Sequence, residues 1–538
     1  MSQPTVKSNT DLVWQSLLFS VPVRSELAEF VGVIREIANH SPEILDAIEK
    51  DQVNHALAKK QIRIEDQLYL ASINPDLPGI DVDELTNSIT ENPNAELTLS
   101  QGRPRMPALL VMIFFFLRGW AGGPKSSNFR TLVVESQTLN QLYIELSIST
   151  PGLSTINDNL NTLTEETCSL MLKTQLAIAK TEELDDFEQN RLDSTAIEAN
   201  SAYPTESSLI KAFLQRALFG FFTLVELGFH DFTNRVAFRD AKTILNEVRT
   251  HSQVICMVSG KKGAKEIRKA NYKKIYTRIP RIEKRIQPLV IRAKEILADK
   301  SMPPSKRNRL ESIINQIDLD IDNAKHIADY SKQRVIDEKA VDIGEKLLSI
   351  SDSDATIIKK GDRDMVFGYR PQLAFSGKGF VTAAHIPEGN AADSGQLQTM
   401  LKRSEENTGV FAQVVTVDDG YINKAVRDQY IERGNQLGKE VIFSIGGSKG
   451  KKSLGEDVFY SDHYKKARAD RSAAEANIST LKHSYEYNEA NRRGIIEVRQ
   501  EQMSKVLAYN TRKIISLRDQ KAKRDQTSPS TDGLSETG

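Results

Sequence analysis

Cysteine is nearly absent from this 538-residue sequence, which contains only Cys168 and Cys256. No Cys-x-x-Cys and no neighbouring histidine pair accompanies them. A disulfide framework and a structural zinc site are thereby excluded, and a reducing cytoplasm is the expected compartment. The eight histidines are scattered, so neither His-x-His metal binding nor a Ser/His/Asp set is available. Long apolar runs are also missing. The run 108–117 is about ten residues long and closes at Arg118, too short to span a bilayer and too far from the N-terminus for a signal peptide. A buried helix is expected there, and no membrane partner. An excess of either charge is lacking as well, with 72 Lys/Arg against 72 Asp/Glu.

That neutral average conceals a segregation. Residues 1–100 carry 16 Asp/Glu against 7 Lys/Arg, and residues 261–310 carry 17 Lys/Arg against 4 Asp/Glu. A basic block of that density is either a polyanion contact or a solvated helical face. Hydrophobic content of 39% with 27% charged residues fits a globular chain of two to four domains.

Along the chain, residues 1–100 read as short helices with breaks at 74–79 and 92–94. Gly102-Arg103-Pro104-Arg105 introduces the apolar segment 109–120. Helical spacing resumes over 139–146 and 156–179. These helices are either a helix-turn-helix-like reader of DNA or an ordinary packed bundle. The run 192–197 is strand-like. Helical pattern then extends over 207–350, where 282–297 and 310–327 flank Met302-Pro303-Pro304 and suggest a hairpin or coiled-coil arm. Residues 365–375 and 379–386 read as a β-hairpin. A helix at 394–403, a strand at 411–417, a helix at 424–437, a strand at 440–445 and a helix at 465–484 follow. Without the helical stretch, the order is that of a ribonuclease-H-like α/β fold interrupted after its first strand.

Three acidic segments stand out against this background. Asp193 lies in the first strand-like run and Asp418 at the end of a later strand, where sites assemble in α/β sheets. Carboxylates on neighbouring strands repel unless cations lie between them, and magnesium prefers oxygen ligands. Glu475 would add a helix-borne carboxylate. At about 100° per residue, Arg471, Glu475, Ile478 and Lys482 share a sector of roughly 60°. One helix face thus offers cation, carboxylate and cation, the cations suited to phosphates. Each piece alone is more often a turn residue or a surface ion pair. The loop Gly446-Gly447-Ser448-Lys449-Gly450-Lys451-Lys452-Ser453 fails the GxxxxGK[ST] spacing of a phosphate loop, and no helix is expected at its end.

The constellation resembles the DDE transposases of bacterial insertion sequences, in particular the group catalogued as not yet classified. The resemblance runs from about Gly102 to Leu517. It rests on Asp193-Ser194-Thr195 with Tyr203-Pro204-Thr205-Glu206, on Val366-Phe367-Gly368-Tyr369, on Gly389-Asn390 with Asp393-Ser394, on Asp418-x-Gly420-Tyr421, and on Arg471-x3-Glu475-x6-Lys482. Three positions depart from the pattern. Arg468 stands where a tyrosine is usual, Glu206 where an aspartate is usual, and Asp419 adds a second acid beside Asp418.

By that resemblance the fold is α/β: a ribonuclease-H-like mixed sheet flanked by helices, with a large helical insertion after the first strand and an N-terminal helical domain. The implied segments are an N-terminal helical region 1–100, a helical DNA-binding domain 101–186, a catalytic domain 187–206 plus 356–515, the insertion 207–355, and a disordered tail 524–538. The implied reaction is two-metal phosphoryl transfer with two Mg2+ or Mn2+ ions held by Asp193, Asp418 and Glu475. Arg471 and Lys482 would hold the strand, and Tyr421 would stack on a base or pack internally. Lys261, Lys262, Lys273, Lys274 and Arg278 of the basic block would contact phosphates, as would Lys449 and Lys451 of the loop. The implied partners are double-stranded DNA, as element terminal inverted repeats and target, and a second copy in a synaptic homodimer. The expected location is the bacterial cytoplasm at the nucleoid. A ribonuclease-H-like nuclease without strand joining and a non-catalytic DNA-binding protein are the alternatives.

Overall fold

The computed structural model describes residues 26–73, 105–122, 127–200, 205–227, 232–258, 262–298, 303–341, 365–445 and 454–527, with short stretches between 346 and 358 and at 451–452. The expected breaks at 74–79 and 92–94, and most of the tail, lie outside these residues. Helices α1 (Glu26–His40) and α2 (Glu43–Ile73) precede α3 (Ala108–Trp120), the apolar segment. Every residue of α3 from Leu110 to Leu117 is buried, as suits a helix apolar on all sides. Arg118 does not mark a surface. It is buried with the rest, and burial pulls its pKa down to about 9. Helices α4 (Ser127–Glu135), α5 (Gln137–Glu145), α6 (Leu153–Leu160) and α7 (Glu165–Thr181) follow. Thr164 caps α7 by accepting from the Thr167 amide, and donates its own amide to Asp51 of α2 at 3.0 Å. That cap fixes where α7 begins.

Strands β1 (Gln189–Ser194) and β2 (Ile197–Glu198) come next. Four helices then form a unit with its own apolar core: α8 (Glu206–Glu226), α9 (Phe232–Met257), α10 (Ala264–Ala298) and α11 (Pro304–Val335). Helices α10 and α11 are the pair expected around Pro303-Pro304. They pack with α8 and α9 instead of projecting as an arm, because Ile275, Ile282, Ile314 and Ile321 need Phe213 and Phe221 to cover them. The helical pattern expected to reach residue 350 ends at Val335. Helix α8 is long and apolar enough to cross a membrane, and half of it is buried inside the protein.

The remaining elements are β3 (Thr356–Ile358), β4 (Val366–Tyr369), β5 (Gln372–Phe375), β6 (Val381–His385), α12 (Asp393–Thr408), β7 (Val414–Val417), a 3-10 turn (Asp419–Tyr421), α13 (Lys424–Gln436) and β8 (Ile442–Ile445). A helical turn (Glu456–Phe459), α14 (Asp462–Ala469), α15 (Arg471–Tyr485) and α16 (Ile495–Thr527) complete the described chain. Four expectations need correction here. Residues 365–375 are two strands in different sheets, because Pro371 lacks an amide donor and restricts Arg370 before it. The helix expected over 465–484 is broken at Asp470. A helical turn does open after Gly455, and α16 carries regular structure through Thr527, inside the tail expected to be disordered.

The main sheet has the order β6-β5-β1-β7-β8. β1 is antiparallel to β5 and parallel to β7, β5 is antiparallel to β6, and β7 is parallel to β8. The chain is thus a mostly helical α/β protein around a mixed sheet, consistent with a ribonuclease-H-like fold. Strands β2, β4 and β3 form a second, smaller sheet. On one side of the main sheet, Leu192, Val415 and Val417 meet Leu397 and Met400 of α12. Another core runs from Phe30 through α3 and α7 to Phe375, Leu481 and Ile514.

Helices α3 and α16 approach within backbone contact in that core. A methyl at Gly119 would stand 2.0 Å from the Ser504 carbonyl oxygen, so Gly119→Ala must push the two helices apart. Such overpacking is expected to lower stability by about 3 kcal/mol. Denaturant unfolding measures it, and an unfolding midpoint equal to that of the unsubstituted protein would contradict the close approach.

Candidate active site

Asp193 sits one residue before the end of β1, and Asp418 follows the last residue of β7. The two strands are parallel neighbours with Arg191 opposite Thr416. Carrying that register on by two residues sets Asp193 level with Asp418. Successive side chains alternate across a strand, so Leu192 enters the core below α12 while Asp193 faces the side on which α15 packs against β1. Asp418 caps the 3-10 turn, its Oδ1 accepting the Asp419 amide at 2.8 Å. Asp193 does the equivalent for the Ser194 amide at 2.7 Å. Both carboxylates are thereby fixed against their own backbone.

Glu475 is delivered by α15, four residues after Arg471. The Arg471 guanidinium donates to Asp418 Oδ1 at 2.6 Å and to Glu475 Oε1 at 3.0 Å. It therefore joins the helix-borne carboxylate to the strand-borne one. Asp418 and Glu475 keep about half of their side-chain surface exposed, so solvent cations can reach them. Lys482 lies further along the same helix and is half-buried. Arg191, on the same face of β1 as Asp193, is buried and donates to the Ser376 and Gly377 carbonyls at 3.1 Å. Burial lowers its pKa, and Asp470 at 4.0 Å opposes the shift.

An all-oxygen donor set of three carboxylates at strand and helix ends suits a hard divalent cation in kind. Among the described residues, no three His, Cys, Asp or Glu side chains stand close enough together to hold one. The position between Asp418 and Glu475 is taken by a cation already, the Arg471 guanidinium. A metal ion there would require that side chain to turn away.

Several other expected site residues are placed differently from the sequence reading. Of the two roles open to Tyr421, stacking on a base and packing, the structure shows packing. Its ring is buried and its hydroxyl donates to Gln372, so no face is open to a base. Its pKa is raised well above the ordinary tyrosine value, by burial first and then by Asp393 and Asp193. Arg278 is corrected. It donates to Glu247 of α9 at 2.9 Å and is mostly covered. Other cations of the basic block are paired in the same way, Lys265 and Lys269 with Glu338, Arg285 with Asp240 and Lys294 with Asp318. Lys262, Lys273 and Lys274 are exposed. Lys451 pairs with Glu456 at 2.9 Å and lies over the Tyr460 ring. Lys261 and Lys449 fall outside the described residues. Glu206, an acid of open role in the sequence, binds Tyr272 and Arg334 and so ties α8 to α10 and α11. Thr205 before it caps α8.

Sequence reasoning missed a second row of polar residues beneath the two aspartates: Arg370, Gln372 and Asp393. In the sequence Asp393 counts only as part of the Asp393-Ser394 motif just before the helix expected at 394–403. The one available signal was its acidic side chain at the first turn of α12, where the helix dipole favours it.

Asp193 and Asp418 thus stand at the ends of two adjacent parallel strands, with Glu475 joined to Asp418 through Arg471. Residues 332–511 match the family model of the transposase DDE domain. That segment, 180 of the 538 residues, is similar to a transposase DDE domain, which supports the resemblance to the insertion-sequence DDE transposases. Such a domain implies an enzyme acting on DNA with a divalent metal. The match contains Asp418 and Glu475 but not Asp193, since it starts near the end of α11, after β1 and most of the four-helix unit. Comparison with curated proteins and with solved structures gives no match.

Proposed function

We propose that the protein cuts and joins the ends of its own insertion sequence by two-metal phosphoryl transfer, with Asp193, Asp418 and Glu475 as the metal-holding carboxylates. The observation that carries this reading is the position of Asp193 near the end of β1 and of Asp418 just after β7, its parallel neighbour, with Glu475 linked to Asp418 through Arg471. Bound Mg2+ or Mn2+ would supply activation of the attacking oxygen and stabilisation of the leaving one. Arg471 and Lys482 would then hold phosphates of the cut strand. Exposed Lys262, Lys273 and Lys274 would add contacts that do not depend on sequence. Recognition of the terminal repeats is assigned to the helices of 101–186, and catalysis to 187–206 plus 356–515 in a ribonuclease-H-like fold. A synaptic homodimer working on DNA in the bacterial cytoplasm completes the reading.

The test is incubation of the full chain with labelled element-end DNA, a target plasmid and Mg2+ or Mn2+. Nicked ends and joined products are expected with metal and neither with a chelator. Cleavage without joined products in any condition would favour a ribonuclease-H-like nuclease. Salt-sensitive binding with no metal-dependent product would leave only a DNA-binding protein.

A further inference from the structure

The polar row beneath the aspartates has a geometry of its own. The Asp393 carboxylate is nine-tenths buried and both of its oxygens are engaged. Oδ2 accepts from Arg370 Nη2 at 2.5 Å and from Ser194 Oγ at 3.3 Å, and Oδ1 accepts from Gln372 Nε2 at 2.9 Å. Three of its roughly four acceptor directions are taken, and it is far more buried than the half-exposed Asp418. Its partners are the informative part. Ser194 is the neighbour of Asp193 and lies opposite Gln372 in the β1–β5 ladder. Gln372 in turn accepts from the Tyr421 hydroxyl, and the Tyr421 amide donates to the Asp418 carbonyl at 3.0 Å. The turn after Asp418 passes directly over the same carboxylate, since a Cβ on Gly420 would stand 2.8 Å from Asp393 Oδ2.

We propose that Asp393 is a positioning residue that ties the ends of β1, β5 and β7 into one unit and so sets the spacing of Asp193 and Asp418. The inference rests on the reading of those two aspartates as the metal-holding pair. Asp393 reaches each of them by a separate route: Asp193 through Ser194, and Asp418 through Gln372, Tyr421 and the Gly420 contact. Arg370 supplies the charge that makes a buried carboxylate tolerable. An isosteric amide cannot replace it. Three donors converge on Asp393, and asparagine offers one acceptor oxygen and turns an NH2 toward the remaining donors. A displacement of about 1 Å at reacting groups costs roughly 100-fold in rate.

The experiment compares Asp393→Asn, Tyr421→Phe and Asp193→Ala in the full chain. It follows Mn2+ binding by electron paramagnetic resonance, cleavage of element-end DNA across a Mn2+ titration, and thermal melting. Asp393→Asn is expected to weaken Mn2+ binding about tenfold and to slow cleavage roughly 100-fold. Tyr421→Phe removes only the hydroxyl and is expected to weaken Mn2+ binding about threefold in a protein folded at the assay temperature. Unchanged Mn2+ affinity in folded Asp393→Asn overturns the proposal, even if melting falls, because a merely structural role moves only the melting. Should Asp393→Asn fail to fold, unchanged Mn2+ affinity in Tyr421→Phe overturns it equally. Asp193→Ala separates the two levels of argument. If it still cuts, the reading of the aspartates fails; if it is dead while Asp393→Asn is normal, the positioning role alone falls.

Discussion

Alanine at Asp193, Asp418 or Glu475 is expected to reduce metal-dependent cleavage of element-end DNA by about 1000-fold, in a protein that remains folded. The size follows from the work assigned to the site. A phosphoryl group in flight carries its charge on oxygens, and the protein contributes little beyond positioned charge to stabilise it. Loss of one of three carboxylates removes a share of that charge arrangement that water cannot replace. The cost to folding is small by comparison. Asp418 and Glu475 are half-exposed, and their ion pairs with Arg471 are worth at most about 1 kcal/mol each. Single-turnover cleavage beside a melting curve therefore separates a catalytic loss from an unfolded protein. Asp419→Ala belongs in the same series. Asp418 rather than Asp419 binds Arg471, so Asp419→Ala should cut far better than Asp418→Ala. Normal cutting by all three alanine variants would remove the carboxylate assignment altogether.

Local pattern carried a good part of the fold. Short apolar runs bounded by turn residues marked β1, β7 and β8, and their order with α12 and α13 was legible because each element is set by its own few residues. Asp193 within one run and Asp418 after another were placed on strand ends for the same reason, although β1 starts three residues before the run 192–197 and ends at Ser194. The rest depends on partners far away in the chain. Tyr421 was open to stacking until Gln372, 49 residues earlier, was seen to take its hydroxyl. The basic block looked uniformly open to a polyanion because Glu247, Asp240 and Glu338, which pair with several of its cations, sit on or beside other helices. The Asp393 cluster is assembled from three segments, none of which is unusual alone. Helix α16 went unread because its charged surface hides a buried stripe of Val498, Val506, Leu507 and Ile514.

Arg471→Ala is expected to move two measurements in opposite directions. Without DNA, the guanidinium and a metal ion compete for the same two oxygens, Asp418 Oδ1 and Glu475 Oε1. Its removal frees both, and Mn2+ binding should tighten by about fivefold, the equivalent of roughly 1 kcal/mol for pairs this exposed. With DNA, the same substitution should slow cleavage by about 10- to 100-fold. A charge-assisted hydrogen bond to phosphate contributes about 1.5–3 kcal/mol. Arg471→Lys keeps the charge but loses the fork that spans two acceptors, so it should fall between the two in both measurements. Opposed signs would mean that Arg471 exchanges its carboxylates for the phosphate backbone as DNA arrives, clearing the carboxylates for metal only when there is a strand to cut. A parallel loss of metal affinity and cleavage would sink that exchange, and would leave Arg471 as the clamp that keeps Glu475 beside Asp418.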